Sequence, residues 1–417
     1  MPSTVAVVGA GWAGLATAVR ACEAGHRVSV YEMAARAGGR ARSVEVDGLT
    51  LDNGQHILIG AYTRTLALMR TVGADIDALL CRQPLTLGYP DGRGLRLRSG
   101  PPLSSFVRAV AGCPGWTWGD RAALLLATGG WALKGFRCGP ALTVAELCAR
   151  LPPRVRELLI DPLCVAALNT PAGEASAAVL LRVLRDALFS GPGSADLLLP
   201  RAPLSGLLPT PAAAWLGRSG AELRLGVRVR ELAREGHGWR VDGDRFDALV
   251  LACSAAEAAR LTQAAAPAWS RRAAALRYEP IVTVYLRKPG ARLPLPMTTL
   301  IDGPAAPAQF AFDHGALGGT AGVFAFVVSG AAAWMERGLD ATGAAVLAQA
   351  GNLLPGATLL RTLAEKRATF RCTPALDRPP AAVAPGLWAA GDYVDGPYPA
   401  TLEGAVRSGE GAATGLS

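Results

Sequence analysis

Hydrophobic and polar positions near the N-terminus follow a strand–helix–strand order. Residues 4–8 form an apolar run typical of a short strand, residues 13–24 repeat apolar side chains at helical spacing, and residues 28–32 again favour a strand. The sequence GAGWAG separates the first strand from the helix. The pattern therefore predicts a βαβ unit at the start of the fold.

The same kinds of pattern continue at intervals along the chain. They predict further helices at residues 66–72, 121–133, 177–188 and 402–413, and further strands at residues 222–232, 246–252, 278–287, 322–329 and 387–391. No internal repeat and no low-complexity linker divides these segments. We therefore expect an α/β protein of two interleaved domains, between which the chain crosses several times.

The composition is typical of a large folded chain and limits the classes of partner that we expect. Hydrophobic residues make up 51% of the 417 and charged residues 18%, which excludes a disordered chain. No signal-peptide pattern and no run of 18 uncharged apolar residues is present, so we expect a cytoplasmic protein without a membrane span. The net charge of +9 suits anionic partners, but the lack of like-charge blocks argues against nucleic acid. The eight cysteines are scattered without C-x-x-C spacing, so we expect neither a disulfide framework nor a metal site.

The GAGWAG segment has the spacing that a dinucleotide-binding turn requires. Gly9 permits a tight turn after the strand, Gly11 lets the backbone approach a pyrophosphate, and Gly14 lets the helix pack closely on the strand. Trp12 and Ala13 begin the helix, whose free N–H groups and positive dipole end favour phosphate. These residues are therefore predicted to bind a dinucleotide cofactor.

Two features of the segment after GAGWAG indicate which dinucleotide this cofactor is. Glu32 ends the second strand 18 residues after Gly14, where a carboxylate can accept hydrogen bonds from ribose hydroxyls. Gly38-Gly39-Arg40 then resembles the G-G-R signature of the flavin amine oxidase and carotenoid desaturase superfamily. The resemblance implies that the cofactor is FAD, that both glycines pass close to it, and that Arg40 helps to hold its pyrophosphate.

A segment near the other end resembles the closing motif of the same superfamily. It has two pieces, LWAAGDY at residues 387–393 and PATLEGA at residues 399–405. The resemblance implies that Gly391 and Asp392 meet the pyrophosphate and the ribityl chain. It places Thr401 and Leu402 at the pyrimidine edge, where a helix N-terminus stabilises reduced flavin. It also implies a main-chain contact between adenine and Val229, in the strand predicted around that residue.

Patterns and resemblance together predict how the chain is divided. A Rossmann-type FAD-binding domain is expected from residues 1–65, 206–260 and 386–417. A substrate domain is expected to have a helical, membrane-associated part at residues 66–205 and a mixed sheet at residues 261–385. The expected fold class is thus α/β and flavin amine oxidase-like.

Four further segments resemble a squalene-associated branch of the superfamily, which serves hopanoid synthesis. They are LDNGQHILIGAY at residues 51–62, PLCVAALNTP at residues 162–171, LLLPRAPLSGLL at residues 197–208 and YEPIVTVYL at residues 278–286. The resemblance implies a reductive dehydroxylation, in which reduced FAD gives hydride to hydroxysqualene, a long-chain isoprenoid, as water departs. It also implies that Gly54 and Gln55 contact the flavin.

A dehydroxylation of this kind needs a proton donor beside the allylic hydroxyl, an apolar channel and exclusion of water. The polar residues expected at the site are Asp52, Gln55, His56, Tyr393 and Tyr398. His56 is the first candidate for the acid, because an unperturbed imidazole titrates near neutrality. Alternatively, His56 holds its loop or the flavin, and we expect Asp52 to cap or brace that loop.

The stretch AALLLATGGWAL at residues 122–133 bears on how the protein meets an oily substrate. It lies between Arg121 and Lys134 and follows Trp116 and Trp118. About a dozen apolar residues are too few to span a bilayer but suit a helix that lies in the interface. The two interpretations are peripheral contact with the inner face of the cytoplasmic membrane and an ordinary buried helix of the substrate domain.

Three other functions fit the same flavin motifs. A carotenoid-type desaturase would use FAD and an apolar tunnel but transfer hydride in the oxidising direction. An amine oxidase is disfavoured, because Thr401 stands where that branch places an aromatic residue and residues 389–399 contain no cysteine for covalent flavin. A non-catalytic flavoprotein that escorts squalene would keep the cofactor motifs without turnover. The partner that reduces the flavin is left open, because no second dinucleotide fingerprint is present.

Overall fold

The computed structural model describes residues 3–416, which contain both strands and helices. The strands are β1 (Thr4–Val8), β2 (Arg27–Glu32), β3 (Ser43–Val46), β4 (Leu49–Asp52), β5 (Leu58–Ile59), β6 (Leu80–Gln83), β7 (Leu197–Pro200), β8 (Glu222–Leu225), β9 (Leu232–Glu235), β10 (Gly238–Val241), β11 (Asp244–Phe246), β12 (Ala248–Leu251), β13 (Tyr278–Arg287), β14 (Met297–Thr299), β15 (Phe310–Asp313), β16 (Val323–Val328), β17 (Thr358–Phe370), β18 (Ala382–Ala384) and β19 (Leu387–Ala389).

The helices connect these strands and fill one long segment between β6 and β7. They are α1 (Trp12–Glu23), α2 (Thr63–Thr71), α3 (Ile76–Leu79), α4 (Pro102–Ala111), α5 (Trp118–Leu133), α6 (Val144–Leu147), α7 (Pro153–Val155), α8 (Asp161–Leu168), α9 (Ala177–Phe189), α10 (Leu204–Leu207), α11 (Pro209–Arg218), α12 (Ala255–Thr262), α13 (Pro267–Ala274), α14 (Ala332–Arg337), α15 (Leu339–Ala350) and α16 (Leu402–Thr414). A π-helical turn, Arg156–Ile160, joins α7 to α8. Within residues 3–416, no helix combines the length and apolar character needed to cross a bilayer.

A six-stranded sheet carries strands from both ends of the chain. Its order is β18-β19-β12-β1-β2-β8, and all neighbours are parallel except the pair β18 and β19. Residues 5–8 of the central strand β1 are fully apolar and buried, as parallel strands inside a sheet require. The βαβ unit expected from the N-terminal pattern is therefore confirmed, with α1 between β1 and β2.

Helices α1 and α16 pack tightly against each other, although they come from opposite ends of the chain. Gly409 in α16 lies so close to α1 that a methyl group on it would overlap the Ala13 carbonyl and come 3.0 Å from the Ala16 side chain. Thr17 Oγ1 donates a hydrogen bond to the Gly409 carbonyl at 3.1 Å. The two segments that carry the flavin motifs therefore form one structural unit.

A five-stranded antiparallel sheet forms the largest sheet outside this unit. Its order is β14-β15-β16-β13-β17, and its longest strands are β13, with 10 residues, and β17, with 13. The predicted strands at residues 278–287 and 322–329 are confirmed as β13 and β16. Helix α15 packs against β17 and β13. The predicted helices at residues 121–133 and 177–188 are likewise confirmed within α5 and α9.

One predicted strand is wrong in its second half. We expected a strand over residues 222–232 that carries Val229, but β8 ends at Leu225 and the next strand, β9, begins only at Leu232. Gly226 adopts φ +73°, a conformation open to glycine, and turns the chain out of the sheet. The alternating Val and Arg residues that suggested a strand lie instead in the loop after this turn.

Candidate cofactor-binding and active site

The turn after β1 presents main-chain groups at the start of α1. Gly9 has φ +108°, and a methyl group on it would lie 2.6 Å from the Ala252 carbonyl oxygen, so no larger residue fits there. Gly11 precedes α1, and no side chain caps this helix. The first-turn N–H groups, beginning with Trp12 and Ala13, are therefore available to an anionic ligand.

A second glycine turn lies directly against the first. Gly11 and Gly38 form an isolated parallel bridge, and a methyl group on Gly39 would come within 3.2 Å of the Gly11 Cα. Gly14 packs just as closely, because a methyl group there would overlap the Gly9 carbonyl. The structure thus brings the predicted glycines together as a surface without side chains, which a pyrophosphate requires for close approach.

Glu32 fixes the end of β2 to the first glycine turn. Its side chain is buried, Oε2 accepts a hydrogen bond from the Ala10 N–H at 2.8 Å, and Oε1 accepts one from the Ala34 N–H at 2.8 Å. The carboxylate keeps further lone pairs that ribose hydroxyls can use. Ribose binding by Glu32 stays a prediction, and its bond to the glycine turn is a second role that the spacing alone did not reveal.

Arg40 and Asp392 join the two flavin motifs through an ion pair. Arg40 Nη2 donates to Asp392 Oδ1, and Arg40 Nη1 donates to the Ala368 carbonyl of β17 at 2.7 Å. Beside Asp392, the Gly391 N–H donates to Ser408 Oγ of α16 at 2.7 Å. Motifs that are 352 residues apart in the chain therefore meet at one place. The contact of Arg40 with a pyrophosphate stays a prediction.

Thr401 caps the N-terminus of α16. Its Oγ1 accepts a hydrogen bond from a first-turn N–H at 2.9 Å and donates to the Tyr398 carbonyl at 3.0 Å, and Leu402 is the first helical residue. The Tyr398 ring is held between the guanidinium groups of Arg182 and Arg407, which lie 5.1 and 4.8 Å from its centre. The place of Tyr398 at the active site and the contacts of Thr401 and Leu402 with flavin stay predictions.

Asp52 braces the loop that follows β4. It is buried, and its Oδ1 accepts hydrogen bonds from Ser43 Oγ and from the Leu204 N–H, both at 2.9 Å. Desolvation raises the pKa of Asp52 to about 6, against the opposing effect of these two hydrogen bonds. The bracing that we expected is confirmed, and a catalytic role for Asp52 stays a prediction.

Gln55 belongs to a polar cluster that the sequence patterns did not reveal. Its Nε2 donates to the Tyr285 hydroxyl at 3.1 Å and lies 3.5 Å from His314 Nε2. Tyr285, in β13, donates in turn to the Asp52 carbonyl at 2.8 Å. Burial lowers the pKa of His314 to about 4, so the ring is neutral and its Nε2 can accept a hydrogen bond from Gln55 Nε2. Tyr285 and His314 are 230 and 259 residues from Gln55. Tyr285 lies in the segment at residues 278–286, which gives no sign of this role, and no local motif marks His314.

His56 turns one ring nitrogen toward its own loop. Its Nδ1 lies 3.0 Å from the Gly54 carbonyl oxygen, so Nδ1 carries the proton and Nε2 is left as an acceptor. Burial lowers the pKa of His56, the hydrogen bond to Gly54 opposes this shift, and the positive charge of Arg40 adds to it. His56 is therefore neutral at pH 7, and its bond to Gly54 supports the interpretation that it holds the loop.

Tyr393 carries a hydroxyl that is buried inside the protein. The side chain is 2% exposed, and within residues 3–416 its oxygen has no hydrogen-bond partner. Burial raises the pKa of Tyr393 well above its usual value, so the hydroxyl keeps its proton. A buried donor without a partner is explained when a ligand supplies the acceptor. Together with the uncapped α1 and the bare glycine turns, it makes the site fit FAD.

Comparison with known protein families shows the family to which this chain belongs. The sequence profile of the family described as flavin containing amine oxidoreductase matches residues 12–416. The chain belongs to this family. As a flavin-containing amine oxidoreductase, it is an enzyme and its cofactor is FAD.

Relatives of this flavin-containing amine oxidoreductase differ in how much of the chain they match. The hydroxysqualene dehydroxylase of Rhodopseudomonas palustris is 31% identical over 447 residues, which cover 99% of this chain and 98% of the relative. That of Sinorhizobium fredii is 29% identical with the same coverage. The zeta-carotene desaturase of Synechocystis is 38% identical over 105 residues, which cover 24% of this chain and 22% of the desaturase.

The solved structure of an oxidoreductase from Methanosarcina mazei shares the fold of this amine oxidoreductase. The two superpose with a TM-score of 0.73 at 16% identity, over 99% of this chain and 100% of the other. The α/β, flavin amine oxidase-like fold class expected from the sequence is therefore confirmed.

Val229, the residue expected at adenine in this amine oxidoreductase, is buried but lies outside any strand. Its carbonyl accepts a hydrogen bond from Arg260 Nη2 at 2.7 Å. An open cleft of about 1000 Å³ lies beside it and is lined by Gly226, Val227, Arg228, Arg230, Glu231, Asp242 and Arg260. The Val229 carbonyl is thus already bonded, and the adenine contact stays a prediction.

Proposed function

We propose that this protein removes the hydroxyl group of hydroxysqualene by reduction and releases squalene. The observation that carries the proposal is the extent of similarity, because two hydroxysqualene dehydroxylases match 99% of the chain and the carotene desaturase matches 24%. Flavin motifs are shared across the superfamily, whereas a match of this length also includes the helical segment and the five-stranded sheet. Similarity outside the flavin motifs therefore favours the dehydroxylase.

In the proposed reaction, the C–O bond of the allylic alcohol breaks and a C–H bond forms at the same carbon. The glycine turns and Arg40 would hold reduced FAD, which would supply the hydride as a two-electron donor and would be reduced again by a separate reductant before the next turnover. The hydroxyl oxygen leaves as water after a protein group has protonated it. The chain must therefore hold an acid beside the allylic carbon and keep bulk water away.

The two candidates for that acid are Asp52, at the end of β4, and His56, in the loop that follows. His56 can donate a proton only as imidazolium, because its neutral ring uses the Nδ1 proton in the bond to Gly54. Asp52 has its pKa raised to about 6, so a protonated carboxyl is available near neutral pH. Because a protonated Asp52 is available near neutral pH and an imidazolium form of His56 is not, we favour Asp52 as the acid and His56 as the residue that holds the loop.

Gln55, Tyr285 and His314 are proposed as positioning residues. Their hydrogen bonds connect the loop to β13 and fix the Asp52 main chain through the Tyr285 hydroxyl. A loop fixed in this way needs little reorganisation when the substrate hydroxyl becomes charged.

Anaerobic turnover tests the proposal directly. The purified FAD-loaded protein is photoreduced, hydroxysqualene is added in detergent, and the flavin absorbance is followed together with product analysis. We expect reoxidation with one squalene formed per flavin. Asp52→Asn should slow this step at least about 100-fold, whereas His56→Gln, which keeps a side-chain donor for Gly54, should slow it much less.

The opposite outcomes identify the rival functions. If hydroxysqualene leaves the reduced flavin unchanged while a polyene precursor reduces the oxidised flavin, the protein is a desaturase. If neither compound changes the flavin although both bind, the protein carries squalene without turnover. Equal loss in the two variants would show that His56 and Asp52 act together.

A further inference from the structure

Helix α5 turns an apolar stripe toward solvent. The outward positions 118, 122, 126, 129 and 133 follow helical spacing and are occupied by Trp, Ala, Leu, Gly and Leu. The side chains of Trp118, Leu126 and Leu133 are 78%, 77% and 91% exposed. No charged residue interrupts this stripe, which is the opposite of what an ordinary surface helix shows.

The other side of α5 already packs into the protein core. Leu124 and Trp131 are buried there, and Asp120 is buried where it closes a capping box with Thr117. The helix is therefore apolar on both sides, a pattern typical of a helix surrounded by other groups. The chain covers only this side of α5, so the interpretation of residues 122–133 as an ordinary buried helix of the substrate domain accounts for the covered side and not for the exposed one.

Helix α4 carries a second exposed apolar stripe. Its outward positions 103, 107 and 111 are Leu, Val and Ala, and Leu103 and Val107 are 47% and 42% exposed. Helices α4 and α5 are consecutive and pack against each other. We refer to the outward stripes of both helices together as the hairpin face.

Basic residues predominate in the segment that carries the hairpin face. Residues 91–146 contain seven basic and three acidic residues, and the acidic Asp120 is buried in its cap. Arg108, Lys134 and Arg137 are exposed, and the Arg121 guanidinium lies 4.8 Å from the centre of the Trp118 ring. The segment therefore combines exposed apolar side chains with a strong positive charge.

We propose that the hairpin face docks on the surface of a bilayer that contains anionic lipids. Leu126, Leu133 and Trp118 enter the boundary between head groups and acyl chains, and the surrounding Arg and Lys side chains contact lipid phosphates. The 16 residues of α5 extend about 24 Å, less than the roughly 30 Å of a hydrocarbon core, so the helix lies in the interface. A tryptophan at its first position suits that depth.

A second copy of the chain fits this face less well. In a twofold dimer the same patch meets itself, so the excess positive charge of one copy would face that of the other. An anionic bilayer supplies both the apolar medium and the opposite charge. The proposal rests on these two helices and is independent of the substrate proposed above.

Vesicle sedimentation of the full-length, FAD-loaded protein tests this docking. Binding is measured to phosphatidylcholine vesicles with and without about one-third phosphatidylglycerol, at low and high salt. We expect binding to the anionic vesicles that falls with salt. The double variant Leu126→Glu/Leu133→Glu should bind at least tenfold more weakly, and Arg108→Glu/Lys134→Glu should lose on the order of tenfold. Because all four side chains are exposed, folding should be unaffected.

The matched control is Ile301→Glu, which places the same charge on a 57% exposed apolar residue outside the hairpin face. This variant should bind like the unaltered protein. The proposal is overturned if the unaltered protein binds no vesicle, or if the Leu126→Glu/Leu133→Glu variant binds equally well. It is also overturned if the unaltered protein binds no vesicles but forms a dimer in light scattering, and the Leu126→Glu/Leu133→Glu variant abolishes that dimer. Turnover of detergent-dispersed hydroxysqualene by the same variants reports separately on the proposed reaction.

Discussion

The glycine turns after β1 and the loop after β4 belong to one site but are built from different groups. In the turns, main-chain N–H groups and the absence of side chains define the surface, and Gly9 tolerates no addition. In the loop, side chains define it, and Asp52, Gln55 and His56 are each held by a partner from another segment or from the loop itself. The first part therefore depends on local conformation and the second on tertiary contacts.

This difference determines how each part should respond to substitution. A main-chain surface fails when any atom is added to it, whereas a side-chain network loses one bond at a time. Substitutions in the turns should therefore act on folding or cofactor binding as a whole. Substitutions in the loop should show graded and pH-dependent effects. Four measurements test this difference between the turns and the loop.

The largest effect is expected for Gly9→Ala. The φ of +108° and the clash with the Ala252 carbonyl should destabilise the apoprotein by more than about 3 kcal/mol, measured by urea unfolding. Gly11→Ala is the matched control, because its φ of −72° suits alanine and the added methyl group would contact only the Gly39 Cα, at 3.8 Å. It should leave apoprotein stability unchanged but weaken FAD binding at least tenfold by fluorescence titration. Normal FAD binding by Gly11→Ala would contradict the assignment of this surface to the pyrophosphate.

The next effect concerns Asp52 and pH. Since the folded-state pKa of about 6 lies above the ordinary aspartate value of 3.8, protonation of Asp52 stabilises the fold at low pH, and this contribution is lost as pH rises through 6. Relative to Asp52→Asn, the unaltered protein should lose about 2 kcal/mol of unfolding free energy between about pH 4 and pH 7. Urea unfolding of both proteins across this range measures the difference. A pH-independent difference would show that Asp52 is not desolvated as described.

A smaller loss is expected for Tyr285→Phe. The hydroxyl makes three hydrogen bonds, two with the Asp52 main chain and one with Gln55, and all of them disappear while the ring stays in place. We expect the free energy of unfolding to fall by about 1–3 kcal/mol and turnover to fall with little change in FAD affinity. A large loss of FAD binding would instead place Tyr285 among the cofactor contacts.

The smallest effect on the apoprotein is expected for Tyr393→Phe. Because the Tyr393 hydroxyl bonds to no group of the described chain, its removal should change apoprotein stability by less than about 0.5 kcal/mol or raise it slightly. The stabilisation that added FAD gives, measured as a rise in Tm, should be smaller in the variant. An equal rise in both proteins would exclude a bond between this hydroxyl and the cofactor.

The same contrast explains how far the sequence could predict the molecule. The turn at Gly9 and the helix after Gly11 impose local requirements that few residues meet, so their spacing revealed the βαβ unit and the cofactor class. Tyr285 and His314 reach Gln55 only because β13 and the end of β15 lie beside the loop, and strand pairing at this distance leaves no local pattern. The strand expected around Val229 failed because one glycine turn overrode an otherwise strand-like run of residues.

The packing of α1 against α16 also sets a time order for assembly in the cell. Thr17 and its partner Gly409 are 392 residues apart in the chain. A ribosome that adds about 5–20 residues per second needs roughly 20–80 seconds to pass from one to the other. During that interval the first βαβ unit has neither the helix that covers α1 nor the aspartate that pairs with Arg40. FAD can therefore meet its complete site only after α16 has been synthesised, so cofactor loading follows the synthesis of this helix.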